Sequence, residues 1–215
     1  MAARIVYQEQ LETLHNDLTE MANLCAQAVE LAVQAVTTQD REAAQQTQDT
    51  DDIIDKKEQD IESLCLRLLL QQQPVASDMR HISSALKMIT DLKRVGDMAA
   101  DIAELSNYVT MQNGPEADDL REMADDVVKM VSESINAFIK NDLVLARDVK
   151  AWDGQADTWF VRIKEDLISL LTRDNTQAEY CLNMLMTANY LERIGDHTTN
   201  VAEWVAYSIL GHHDS

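Results

Sequence analysis

The sequence is short of glycine, proline and basic residues. Five glycines and two prolines in 215 residues supply too few turns for an all-β fold, which favours long helices. Lysine and arginine number 18 against 38 aspartates and glutamates, a formal net charge of −20. A chain that acidic is repelled by nucleic-acid phosphates and by anionic membrane surfaces, which argues against nucleic acid as a partner. It attracts metal cations or a basic protein surface, and its acidic faces also keep it dissolved. The three cysteines, Cys25, Cys65 and Cys181, form no CxxC pair. Each sits in an apolar helical stretch, which predicts buried, reduced thiols and a cytoplasmic setting. The opening MAARIVYQEQ lacks the basic-then-apolar order of a signal peptide. The best apolar run, residues 180–191, is broken by Asn183 and Asn189 and is too short to cross a bilayer. A soluble cytoplasmic protein without membrane insertion is expected.

The hydrophobic share is 46%, enough for a proper core, and it is arranged periodically. Leu11, Leu14, Leu18, Met21, Cys25, Ala28, Ala32 and Ala35 alternate spacings of three and four, the stripe of an amphipathic helix. A shift of 102 maps Leu18 through Ala35 onto Leu120, Met123, Val127, Met130, Ser134 and Ala137. The same shift maps Ile61, Cys65, Leu68 and Leu69 onto Ile163, Leu167, Leu170 and Leu171, and TTQDREAAQQ from Thr37 onto IKNDLVLARD from Ile139. Further along the shift drops to 99. DLKRVGDMAADIAE from Asp91 then answers YLERIGDHTTNVAE from Tyr190, and the three lost residues fall where QQQPVASD faces TRDNTQAE. Loops absorb such deletions at little cost.

The chain is therefore one unit written twice, joined near Asn113-Gly114-Pro115. Each unit reads as three helices, near 4–38, 41–72 and 78–111, then 116–140, 143–173 and 176–209. The expected fold is all-α: two tandem three-helix bundles, 1–113 and 114–215, packed end to end or side by side. One continuous six-helix body is the alternative.

The chemistry is expected where acidic positions repeat. The sixth helix carries Glu192, Asp196, Asn200 and Glu203, which fall within about 80° of one another at about 100° per residue. The matching positions in the third helix are Lys93, Asp97, Asp101 and Glu104. The second helix adds Asp51 and Asp55, and the fifth adds Asp153 and Asp157 at the shift of 102. Carboxylates four apart repel, and two such helices side by side gather several negative charges. A hard multivalent cation relieves that repulsion by taking oxygens from several carboxylates. An oxygen-only set favours magnesium, calcium, manganese or iron over structural zinc. His197 points about 100° away from Asp196. A solvated acidic face is the competing explanation. Gly96 and Gly195, at equivalent sites inside the stripes, suggest that a helix or an ion approaches the backbone closely. Arg94 and Arg193 are placed to pair with Asp97 and Asp196.

The segments LKRVGD from Leu92 and LERIGD from Leu191, together with QPVASDMR from Gln73, resemble the duplicated signature of the PhoU family, over nearly the whole chain. The resemblance implies paired three-helix bundles that carry metal clusters on acidic faces. It also implies a cytoplasmic, often homodimeric regulator with no catalytic reaction. Such a regulator links the phosphate ABC transporter ATPase to a phosphate-sensing histidine kinase, damping uptake and the starvation response. Carried over by position, the metal residues are Asp51, Asp55, Asp97 and Asp101 in the first half, and Asp153, Asp157, Glu192, Asp196 and Asn200 in the second. The metals implied are divalent or ferric: iron, manganese or magnesium. Lys93 departs from the acidic pattern, so the second site is expected to bind metal more tightly than the first. Two other readings compete. A carboxylate-bridged di-metal oxidase would need Glu-x-x-His pairs; Asp78-Met-Arg-His81 comes nearest and has no second copy. A metal-free helical scaffold needs none of this chemistry. No phosphate-cradling glycine loop or Ser-His-Asp grouping is visible.

Overall fold

The structure, a computed structural model, describes residues 2–71, 75–108 and 115–213. Six long helices account for nearly all of them: α1 (Ala2–Thr38), α2 (Arg41–Gln71), α3 (Ala76–Leu105), α4 (Pro115–Lys140), α5 (Leu143–Arg173) and α6 (Ala178–Leu210). The expected joint at Asn113-Gly114 lies outside the described residues.

The apolar stripes form the core. Leu14, Leu18, Met21, Cys25, Ala28, Ala32 and Ala35 of α1 are fully buried, and so are Leu120, Met123, Val127, Met130, Ser134 and Ala137 of α4. Ser134 is tolerated there because its hydroxyl donates to the Val131 carbonyl, 2.8 Å away. All three thiols are buried and free.

The repeat is also written in the turns. Gln39 and Asn141, related by the shift of 102, both take positive φ, 55° and 51°. The next residue in each half caps the following helix. Asp40 accepts from the Glu42 and Ala43 backbone at 3.0 and 3.1 Å, and Asp142 accepts from Leu145 at 3.0 Å. Asp174 caps a single 3-10 turn, Asn175–Gln177, by accepting from Thr176 N at 3.0 Å.

Helix α3 stops at Leu105 rather than running to 111. Ser106, Asn107 and Tyr108 donate their backbone N–H groups three residues back, to Ala103, Glu104 and Leu105. The Ser106 hydroxyl and Asn107 amide donate to the Ala103 and Glu104 carbonyls at 2.6 and 3.0 Å. These polar side chains satisfy the last carbonyls locally and tighten the final turn out of α geometry.

Within each half the three helices pack on one another, and the halves meet side by side through α1 against α4 and α3 against α6. One hydrophobic core runs through both halves. The α2 and α5 helices lie on opposite flanks, each packed mainly on its own two partners. The α3–α6 crossing is antiparallel, since Asp91 meets Asn200 while Asp101 meets Tyr190. Those two contacts are the same contact seen from either half, so an approximate two-fold axis relates the repeats.

Candidate functional site

Two acidic faces follow from this symmetry, one where α2 crosses α3 and one where α5 crosses α6. On the first, Asp51, Asp55 and Asp97 each offer a carboxylate oxygen within 4.8 Å of the others. Gly96 makes the approach possible. A Cβ there would lie 2.7 Å from Asp51 Oδ1 and 3.0 Å from Ile54 Cδ1, closer than packed atoms come. Asp51 Oδ1 is buried and has no hydrogen-bond partner. Its burial, then the Asp97 and Asp55 charges beside it, push the Asp51 pKa up to about 6.

Lys93 enters this face from α3. Its ammonium lies 2.6 Å from Asp97 Oδ1 and 2.9 Å from Asp55 Oδ1, and Arg94 reaches Asp97 Oδ2 at 3.1 Å. Partial burial by itself lowers the Lys93 pKa, but hydrogen bonds to Asp97 and Asp55 outweigh it and raise the value above the ordinary lysine range. The ammonium therefore stays charged.

The second face is built from the equivalent positions without the lysine. Asp153 sits against Gly195, where a Cβ would meet Asp153 Oδ1 at 3.0 Å and then only Ala156 Cβ at 3.7 Å. Burial raises the Asp153 pKa first, followed by the Asp196 and Asp157 charges. Glu192, which stands where Lys93 stands on the first face, is raised by burial and then by Asp196, Asp157 and Asp153, while Arg193 opposes them. These four carboxylates thus feel one another. Among the described residues only the first face brings three ligand oxygens within 4.8 Å. Two differences accompany this: Lys93 bridges Asp55 and Asp97 on the first face, and Ile54 packs beneath Gly96 where Ala156 lies beneath Gly195.

Asp101 and Asn200 are placed elsewhere. Exposed Asp101 hydrogen-bonds Tyr190 across the α3–α6 seam, and Asn200 Nδ2 lies 3.5 Å from Asp91 Oδ1. The helical wheel explains this. Asp101 and Asn200 sit about 80° around from Lys93 and Glu192, far enough to face the neighbouring repeat instead of the flanking helix. Glu203, only about 20° around, does face α5, where it pairs with Lys150 at 2.9 Å. His197 points away from Asp196, as expected, and its Nδ1 contacts Asp91 Oδ1 at 2.9 Å.

Two features escaped the sequence reading. Glu58 joins the rim of the first face, its pKa raised by burial and tempered by Lys93. Its spacing of seven from Asp51 was the available signal, but its counterpart in the second half is Phe160. The Asp91–His197 contact pairs residues that are not equivalent under the repeat, so no self-alignment finds it.

The donor set fits a hard cation on the second face, where Asp153, Asp157, Glu192 and Asp196 offer only oxygens and Arg193 opposes them at Glu192 alone. The Gly195 gap, which lets Asp153 lie against the backbone of α6, is what such a cluster needs. On the first face the cation position is already bridged by Lys93.

Comparison with known proteins agrees with this architecture. The PhoU domain matches twice, over residues 18–106 and 120–205. The chain is similar to the phosphate-specific transport system accessory protein PhoU homolog of Clostridium acetobutylicum, 34% identical with 97% of this chain and 96% of the relative covered. It is similar to the protein of the same description from Pseudomonas aeruginosa, at 33% identity over 95% of this chain and 86% of the relative. The crystal structure of PhoU from Pseudomonas aeruginosa superposes with a TM-score of 0.87 at 32% identity, covering 96% of this chain and all of that one. A regulatory PhoU structure from Streptococcus pneumoniae shares the fold, with a TM-score of 0.88 at 24% identity over 97% of this chain and 99% of that one. With two matched repeats and relatives covered nearly end to end, the chain belongs to the PhoU family.

Proposed function

We propose that the protein is an accessory regulator of phosphate-specific transport, a helical adaptor that restrains phosphate uptake and starvation signalling when phosphate is plentiful. It does so by contacting the ATPase of a phosphate ABC transporter and a phosphate-sensing histidine kinase, from the cytoplasm and as a homodimer. The observation that carries this reading is the match along nearly the whole chain to relatives described as accessory proteins of phosphate-specific transport. No helix among the described residues is long and apolar enough to cross a membrane, which accords with work alongside a transporter.

The local chemistry supports an adaptor over an enzyme. The three thiols are held protonated by burial: the Cys65 pKa is pushed up to about 12, and those of Cys25 and Cys181 also rise. Among the described residues no hydroxyl or thiol is hydrogen-bonded to a histidine ring.

On this reading Asp153, Asp157, Glu192 and Asp196 hold a divalent or ferric ion such as magnesium, manganese or iron. The ion supplies charge neutralisation, letting α5 and α6 close on each other where the carboxylates alone push them apart. The test is a pull-down of the purified transporter ATPase and the sensor kinase, with and without chelator. Capture of both partners is expected, weaker after chelation. Capture of neither by a folded, metal-loaded protein would refute the adaptor reading.

A further inference from the structure

The two faces differ at one decisive position. Where the second carries Glu192, the first carries Lys93, whose ammonium bridges Asp55 of α2 at 2.9 Å and Asp97 of its own helix at 2.6 Å. Arg94 takes the remaining Asp97 oxygen at 3.1 Å. The bridge spans the two helices at the level where Gly96 admits Asp51. It is the arrangement a metal ion would impose, a positive charge shared by carboxylates of two helices, but delivered by a covalently attached group. Such a charge is present at all times, is not removed by chelators, and sits where a metal would have to enter.

We infer that Lys93 is the resident cation of the first face, so that the first repeat is locked without metal and the second repeat alone responds to it. This rests on the proposed binding of a cation by Asp153, Asp157, Glu192 and Asp196. The protein is then a half-sensor. The α2–α3 crossing is a fixed frame, and the α5–α6 crossing tightens or loosens with the cation supply. Because α3 packs directly on α6, a change in α6 is referred to an unmoving neighbour. The regulatory surface that answers metal therefore lies on the second repeat.

The two crossings can be read separately by amide hydrogen exchange on the full chain, metal-free and then with manganese(II). In the wild type, manganese should slow exchange around Asp153–Asp157 and Glu192–Asp196 and leave 51–55 and 93–97 unchanged. In metal-free buffer, Lys93→Met should speed exchange at 51–55 and 93–97 by about fivefold, the size expected of a partly buried ion-pair network. Lys93→Glu should show the same loosening, and manganese should now reverse it, since the first face then carries the same four acidic positions as the second. This second variant keeps the test decisive if Lys93→Met folds poorly. Manganese protection of α2–α3 in the wild type would overturn the inference, as would unchanged exchange there in both Lys93 variants. If manganese alters neither crossing in the wild type, the cation reading of the second face fails. The lysine lock is still judged by the metal-free exchange of the variants, which supports it if α2–α3 loosens and sinks it if not.

Discussion

The first acidic face is closed and the second is open, although both descend from one repeated pattern. On the first, three carboxylates lie close together with Lys93 bridging two of them, Asp55 and Asp97, while Ile54 fills the space beneath Gly96. On the second, burial and then the neighbouring carboxylate charges raise the Asp153 and Glu192 pKa values, and the residue equivalent to Ile54 is Ala156. The contrast teaches that an inherited cluster of like charges has two ways to persist. One is a tethered counter-charge with tight packing; the other is an open, repulsive face that a free cation can close.

The largest effect should come from the apolar side of this contrast. Ile54 is fully buried, so Ile54→Ala should cost about 3 kcal/mol in urea unfolding, as cavity-forming core truncations do. It should also make the first face resemble the second. Next come the glycines. Gly96→Ala pushes a methyl into Asp51 and Ile54, and we expect a net loss of about 1–2 kcal/mol, overpacking outweighing the gain in helix propensity. Gly195→Ala meets only the Asp153 carboxylate closely and should stay within about 0.5 kcal/mol of the wild type. In the Ile54→Ala background, Gly96→Ala should behave like Gly195→Ala. If the two glycine variants cost the same in the wild type, packing does not distinguish the faces.

A smaller loss, about 1 kcal/mol, is expected for Asp142→Ala, which removes the cap of α5. It should leave exchange in α2 untouched, and thermal melting with segment-resolved exchange checks both points. The mildest signature is in pH. Asp51 is raised from 3.8 to about 6 in the fold, so between those values the native state holds more protons than the unfolded chain. Metal-free stability should therefore fall as pH rises from about 4 to about 6. Asp51→Asn should flatten that slope, and Asp153→Asn should do the same for the second face. A steeper slope in Asp51→Asn would show that the buried carboxyl is not the group responsible.

Much of this was readable from residues alone, for physical reasons that also mark the limit. The helices followed from the heptad stripe and its repetition, because burial period is a local property. The end of α3 did not, because Ser106 and Asn107 act through short-range hydrogen bonds that compete with helix in a way composition hardly signals. The carboxylates nearest the crossings were legible from spacing. Asp101 and Asn200 fall on the same stripe of the wheel, which fixes direction only to an arc. Which neighbour fills that arc is a property of the α3–α6 packing, written in neither helix by itself. The lysine bridge was half legible. Lys93 was visible as a charge in the wrong place, but its reach to Asp55 on another helix needed the crossing.

Calorimetric titration of the metal-stripped protein with manganese(II) tests the contrast between the faces most directly. We expect a tight phase that vanishes in Asp196→Ala and persists in Asp97→Ala. Equal losses in the two variants, or a tight phase lost only in Asp97→Ala, would contradict it.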